Sequence, residues 1–267
     1  MVTLALIGVG KWGKNYLESC KNLPGIKIGY VCSKNRTTPK LDDLLNKKDI
    51  SGFIIASPTS THFEIAKLLI EKNKNVLIEK PVTDSLNKTK LLYDLSRKHP
   101  KATVMAGHIQ LYDSGYLELK KGIQRLGKIN TLKYEGLQSL KRKNVSIFWD
   151  WLPHPLYLFS DITQKNPKVI SVKFIKPDNL KVNVSLDNDV IGKIHVGWTH
   201  PIRKRSFVIT GEKGEISLKQ IKSKYTPLQN EILMFVQCIK EKTQPISNLK
   251  QALEIAKTIS RIEELTK

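Results

Sequence analysis

Two stretches of this 267-residue chain carry side chains whose type and spacing suit proton transfer. The first is Glu79-Lys80-Pro81. Proline biases the residue before it toward extended backbone, so the Lys80 ammonium can be aimed at one spot, where it can hydrogen-bond or exchange a proton with a substrate hydroxyl. The second is Asp150-Trp151-Leu152-Pro153-His154, inside the aromatic run that begins at Phe148. Asp150 and His154 stand four apart, which puts them on one face of a helix. A carboxylate beside an imidazole fixes its tautomer and raises its basicity, as a general base for alcohol oxidation requires. Trp149 and Trp151 offer an apolar wall or a stacking surface for a sugar ring. His108, His195 and His200 have no comparable neighbours and read as structural.

These groups need a frame, and the N-terminus supplies one. The apolar run Leu4 to Ile7 ends in Gly8-Val9-Gly10-Lys11-Trp12-Gly13 and passes into a segment, Lys14 to Asn22, with the pattern of a helix. In this strand, turn and helix, Gly8 permits the sharp exit from the strand. Gly10 lets the backbone approach a pyrophosphate, and Gly13 allows close packing of helix on strand. The helix start adds free N–H groups and a partial positive charge, which places Lys11 and Trp12 against a dinucleotide. A second strand, Lys27 to Ser33, ends without the acidic residue that binds a ribose diol. Ser33, Lys34, Asn35 and Arg36 suit a 2′-phosphate better, so NADP is favoured over NAD.

The alternation continues with buried-strand runs at Gly52 to Ala56, Asn75 to Ile78 and Ala102 to Gly107, separated by helical segments. Ser57-Pro58-Thr59 and His62, which opens the helix Phe63 to Lys72, follow one strand; Glu79 and Lys80 follow the next. All fall at the carboxyl edge, where open parallel sheets bind ligands. Beyond Gly127 strands succeed one another without regular helices, and two amphipathic helices, Leu228 to Lys240 and Leu249 to Leu265, close the chain. The fold class expected is α/β: an N-terminal Rossmann doubly wound parallel sheet, residues 1–117, then an α+β domain with a largely antiparallel sheet, residues 118–267.

Composition narrows the function. The net charge is +21, yet only seven of the 45 basic residues are arginine and they are dispersed. Arginine is the residue favoured for bidentate base and phosphate reading, so no nucleic-acid partner is expected. A lysine-coated surface still attracts a phosphate-bearing substrate. No apolar run is long enough to span a membrane and no signal peptide is evident, so a cytoplasmic protein is expected. The three cysteines form no C-x-x-C pair, and no metal site is expected.

The ordered set of motifs resembles the glucose-fructose oxidoreductase / inositol dehydrogenase / MocA (Gfo/Idh/MocA) family over nearly the full length. The pieces are Gly8-x-Gly10-x-x-Gly13, Ala56-Ser57-Pro58 with His62, Val76-Leu77-Ile78-Glu79-Lys80-Pro81, and Gly107-His108. Leu126-Gly127-Lys128-Ile129, Asp150-x-x-Pro153-His154 and Gly211-x-x-Gly214 complete it. The resemblance implies hydride transfer between NAD(P) and a secondary alcohol of a sugar, in the manner of the branch acting on nucleotide-linked or amino sugars. It implies Lys80 as the catalytic lysine, His154 as acid/base and Asp150 as its support, with a homodimer or homotetramer as the assembly. The chain departs from the pattern at Leu152, where members often carry Gly, and at Pro155 and Tyr157, where they often carry Asp. Those changes keep a second reading in view: a non-catalytic regulatory protein of the same fold that senses a dinucleotide or sugar nucleotide.

Overall fold

The computed structural model describes residues 1–34, 39–139, 145–187, 189–198, 200–201 and 203–267. These divide into two compact units, each discontinuous in sequence: residues 1–112 with 224–253, and residues 113–223 with 254–267.

The first unit opens with β1 (Val2–Ile7), α1 (Lys11–Lys21), β2 (Ile26–Cys32), α2 (Leu41–Leu45) and β3 (Ile50–Ile55). It continues through α3 (Thr59–Glu71), β4 (Val76–Glu79), α4 (Leu86–Lys98) and β5 (Val104–Gly107). The strands form one sheet in the order β2-β1-β3-β4-β5, with every neighbouring pair parallel. Leu4 to Leu6, Phe53 to Ile55 and Val76 to Ile78 are wholly buried. Continuous apolar runs of this kind form because helices cover both faces of a parallel sheet, leaving no solvent side for alternation to mark. The strand order reverses between β1 and β3, so their carboxyl ends flank the switch point of the sheet.

The second unit begins with α5 (Ser114–Gly122), capped by the Asp113 carboxylate on the Tyr116 N–H. It continues through β6 (Ile129–Leu137), α6 (Ile147–Trp151), α7 (Pro153–Thr163), β7 (Lys168–Lys176), β8 (Asn179–Asp187), β9 (Val190–Gly197), β10 (Lys204–Gly211) and β11 (Gly214–Ser217). Its sheet runs β11-β10-β6-β9-β8-β7 and is antiparallel except for the pair β6 and β9. The alternation of period two now has meaning. Leu132, Tyr134, Val182, Val184, Ile194, Phe207 and Ile209 are buried on one face. The register sets Lys133 opposite Lys193 and Lys181 opposite His195 on the other. The apolar face receives α6 and α7 at two glycines: a Cβ on Gly136 would collide with the Trp151 ring, and one on Gly192 would come within 2.6 Å of Phe159.

The chain then returns. Helix α8 (Pro227–Glu241) starts at a capping box between Thr226 and Gln229 with Pro227 in its first turn. It buries Leu228, Ile232, Phe235 and Val236. Phe235 and Ile239 lie where a Cβ on Gly52 of β3 would meet them at 3.0 Å, so α8 packs on the parallel sheet. After it, the Ala106 N–H donates to the Ser247 carbonyl at 2.7 Å and Met105 bridges Asn248, covering the free edge of β5. A single cut at 117/118 therefore does not describe the division: the segment 224–253 reads in sequence as closing the second domain, while its apolar face fits the first. The last helix, α9 (Leu249–Glu264), contains the point of division at 253/254. Among the described residues no helix is long and apolar enough to cross a membrane, and no group of three or more potential metal ligands occurs.

Candidate functional site

The glycine loop after β1 is built as its spacing requires. Gly8 has φ +96°, a left-handed value, and a Cβ there would lie 2.6 Å from the Ser57 backbone. A Cβ on Gly13 would fall on the carbonyl oxygen of Gly8, whereas one on Gly10 would meet nothing within 4 Å. Two glycines are thus required by the fold, and the third by an open space in front of it. Helix α1 begins at that space with no side-chain cap and no acid in its first turn. Its first N–H groups and positive dipole end suit a pyrophosphate, with exposed Lys11 and half-buried Trp12 beside them. A dinucleotide therefore fits this cradle.

Neighbouring loops at the same sheet edge hold the other expected residues. The Gly8 N–H donates to the Cys32 carbonyl at 2.8 Å, which brings the end of β2, and so Ser33 and exposed Lys34, beside the glycine turn. Arg36 lies outside the described residues. After β3, Ser57 Oγ is 2.7 Å from Thr61 Oγ1, and Thr61 donates to the Pro58 carbonyl from both N and Oγ1. Pro58 is exposed and Thr59 half-buried. His62 is expected against the cofactor, but it is only 1% exposed and acts from behind. Its Nε2 is 2.9 Å from the Ser57 carbonyl and its Nδ1 3.0 Å from the Pro81 carbonyl, so the ring ties the loop after β3 to the loop after β4. Burial lowers its pKa against the opposing pull of those carbonyls.

Lys80 follows β4 directly and is half-buried; its peptide bond to Pro81 is cis. Glu79, also expected against the cofactor, instead spends its carboxylate inside the unit. One oxygen accepts from the Tyr16 hydroxyl at 2.8 Å and the other from the Lys80 backbone N–H at 3.0 Å. On the far side of Tyr16 lies Glu231 of α8, fully buried, with Oε2 3.2 Å from the Tyr16 oxygen and Oε1 without a hydrogen-bond partner. Burial raises both carboxyl groups, Glu79 to about 7 against the help of Tyr16 and Lys80, and Glu231 further because Glu79 is near. Burial also drives the Tyr16 phenol well above its ordinary value and His108 well below its own, the latter reinforced by the charge of Lys80.

Tyr16 and Glu231 are absent from the residues singled out in sequence, and His108 reads there as structural. The signal for Glu231 was a carboxylate on the apolar stripe of its helix, one residue before buried Ile232. Tyr16 gave none, since an aromatic on the buried face of a helix reads as core.

In the second unit Ser146 caps α6 through the Phe148 N–H, and Leu152 keeps right-handed helical backbone between α6 and α7. The hydrogen bonds Asp150 N to Ser146 O, Leu152 N to Phe148 O and Leu156 N to Leu152 O carry the helical path through the junction. Asp150 and His154 consequently occupy successive turns, Asp150 5% exposed and His154 half-buried. The tryptophans serve packing. Trp149 donates its indole N–H to Glu263 at 3.1 Å, and Trp151 lies over Gly136 with its ring edge-on to His154 at 6.1 Å. Both are nearly buried.

A sequence model of the NAD-binding Rossmann-fold oxidoreductases known as Gfo/Idh/MocA matches residues 2–108. Over that segment the chain is similar to the Gfo/Idh/MocA oxidoreductases. It is 24% identical over 196 residues to inositol 2-dehydrogenase of Salmonella typhimurium strain LT2, a stretch covering 66% of this chain and 58% of that protein. The chain thus matches under two thirds of the length of that relative. In fold it is similar to UDP-N-acetylglucosamine 3-dehydrogenase GnnA of Acidithiobacillus ferrooxidans: TM-score 0.84, 18% identity, 98% of this chain and 97% of that one. It is similar also to myo-inositol 2-dehydrogenase of Lactobacillus plantarum, with TM-score 0.86, 16% identity and coverage of 99% and 96%. The α/β class, a parallel Rossmann sheet followed by a largely antiparallel one, is thus the fold that the chain shares with these two structures.

Proposed function

We propose that the protein is an NAD(P)-dependent oxidoreductase that interconverts a secondary alcohol of a sugar or polyol and the corresponding ketone. The observation that carries this reading is the position of Lys80. It stands at the carboxyl end of β4, on the sheet edge that holds the uncapped start of α1, inside the family segment.

Gly8, Gly10, Lys11, Trp12 and Gly13 would hold the pyrophosphate, Ser33 and Lys34 the adenosine ribose, and Ser57, Pro58 and Thr59 the next stretch of the cofactor. Bound there, a nicotinamide supplies the hydride acceptor or donor. Lys80 holds and polarises the substrate oxygen, and His154 takes or returns its proton with Asp150 orienting the imidazole. His62 and Glu79 contribute by positioning the loops. The neutral Ser33 and cationic Lys34 favour NADP over NAD.

Among substrates, the family likeness of the Trp/Asp/Pro/His segment and the net charge of +21 favour a nucleotide-linked or amino sugar; the inositol dehydrogenase relatives support a polyol. The regulatory alternative gains nothing from these relatives. A homodimer or homotetramer is proposed on the resemblance alone.

The test is a fluorescence titration with NADH and NADPH, followed by NAD⁺ or NADP⁺ offered with myo-inositol, UDP-N-acetylglucosamine and other sugars. Binding with turnover of any one supports the enzyme. Binding without turnover returns the weight to the sensor, and binding of neither cofactor removes both the enzyme and a dinucleotide sensor.

A further inference from the structure

The Tyr16 hydroxyl lies between two buried carboxyl groups and has one hydrogen to give. It is 2.8 Å from Glu79 and 3.2 Å from Glu231. With both carboxylates ionised, two negative charges would share that single donor in a place water does not reach, and repulsion between them would add to the desolvation cost. With one further proton the arrangement closes. Glu231 donates to the Tyr16 oxygen, Tyr16 donates to Glu79, and ionised Glu79 accepts from the Lys80 backbone N–H. Glu231 is the member to carry the proton. Glu79 has two donors and the Lys80 cation to stabilise its charge, while Glu231 has the shared hydroxyl alone and an oxygen with no hydrogen-bond partner.

We propose that Glu79 and Glu231 hold one proton between them through Tyr16, and that Tyr16 and Glu231 are positioning residues. By keeping Glu79 ionised against the Lys80 backbone, they fix the loop from which Lys80 works. Glu79 is faced by Tyr16 from α1 and by Lys80 beside it, and Lys80 also influences His108, next to the Gly107 that pairs with Glu79. Glu231 is faced by Tyr16, by Glu79, and by Tyr112, whose phenol feels both Glu231 and Cys238. Burial raises both carboxyls, as a protonated pair requires.

The inference rests on the role given to Lys80, so its test avoids turnover altogether. Protein labelled with ¹³C at the glutamate carboxyl and ¹⁵N at the amides is titrated by NMR from about pH 5 to about pH 9, well above the ordinary glutamate pKa of about 4.3. The Glu79 signal is expected to titrate in that window and the Glu231 signal at higher pH. The higher should be missing in Glu231→Gln and the lower in Glu79→Gln. The lower should move up by about one pH unit in Tyr16→Phe, which removes a donor to the carboxylate. The Lys80 amide should follow the Glu79 curve in each protein. Ionisation of every glutamate by about pH 5 overturns the shared proton, and a Lys80 amide indifferent to Glu79 overturns the positioning role. The wild-type titration decides the first point even where a variant fails to fold. Absence of sugar turnover would count against the enzyme and leave these curves as they are.

Discussion

A Cβ placed on Gly13 would fall on the carbonyl oxygen of Gly8, while the same atom on Gly10 would meet nothing. The glycines of one motif therefore have separable duties. Gly13→Ala must push α1 off β1, and we expect a folding defect of about 3 kcal/mol or more, seen as a large loss in melting temperature. Gly10→Ala has room in the free protein and should melt within about 0.5 to 1 kcal/mol of the wild type, as a surface change at a helix cap would. Its methyl group would stand where the pyrophosphate approaches, so NADH or NADPH affinity should drop at least about tenfold, a change of about 1.4 kcal/mol. Equal loss of stability in both variants would contradict the assignment.

Lys80 provides the kinetic counterpart. Lys80→Met keeps the length of the chain and deletes the ammonium, so turnover should decrease by about 10² to 10⁴, the range for removing a positioned proton-transfer group. Affinity for the cofactor should change less than about threefold, because on the proposed reading the phosphates sit at α1 and not at β4. Stopped-flow hydride transfer and fluorescence titration on the same preparation separate the two quantities. Loss of both together would make Lys80 structural.

The parallel sheet and the glycine loop were legible in sequence because their signals are local. Leu4 to Ile7 and Gly52 to Ala56 are unbroken apolar runs next to glycine or proline, and their short length and those flanks favour a buried strand over a helix. Asp150 and His154 were legible for the same reason, since their four-residue spacing survives through the helical Leu152. What escaped depends on contacts far apart in the chain. Tyr16 and Glu231 are 215 residues apart, and only the return of α8 to the first sheet joins them. Reading Glu79 as a cofactor contact was natural at a strand end, where side chains alternate between edge and interior; Tyr16 and the Lys80 N–H draw it inward.

The buried pair has a signature in stability. The folded-state pKa of Glu231 is raised above its unfolded value, so its contribution is fully present below the unfolded value near 4.5 and is lost as pH rises through the folded one. Glutamine mimics the protonated acid and cannot ionise. Glu231→Gln should therefore melt close to the wild type below about pH 4.5 and progressively above it as pH rises beyond that value toward the folded pKa. Each pH unit over which only the unfolded wild type has released the proton corresponds to about 1.4 kcal/mol. Calorimetry at several pH values checks this; a gap between the two proteins that is constant with pH would sink it.

The last expectation concerns the second unit. Gly136 of β6 is the floor beneath Trp151, and Trp151 is adjacent in sequence to Asp150 and in ring contact with His154. Gly136→Ala has no strain to relieve, since its backbone is extended in the sheet, and acts only by lifting the indole. A rigid aromatic ring cannot yield as a flexible side chain does, so overpacking should cost about 1 to 3 kcal/mol. The displaced ring carries α6 with it and shifts Asp150 and His154 together. Misplacement of about 1 Å in a positioned general base costs about 10² in rate. We therefore expect turnover by Gly136→Ala to fall steeply at temperatures where it remains folded, with NADH and NADPH affinity unchanged because the glycine loop belongs to the other unit. If melting temperature decreases while turnover per folded molecule does not, the placement of His154 does not depend on Trp151.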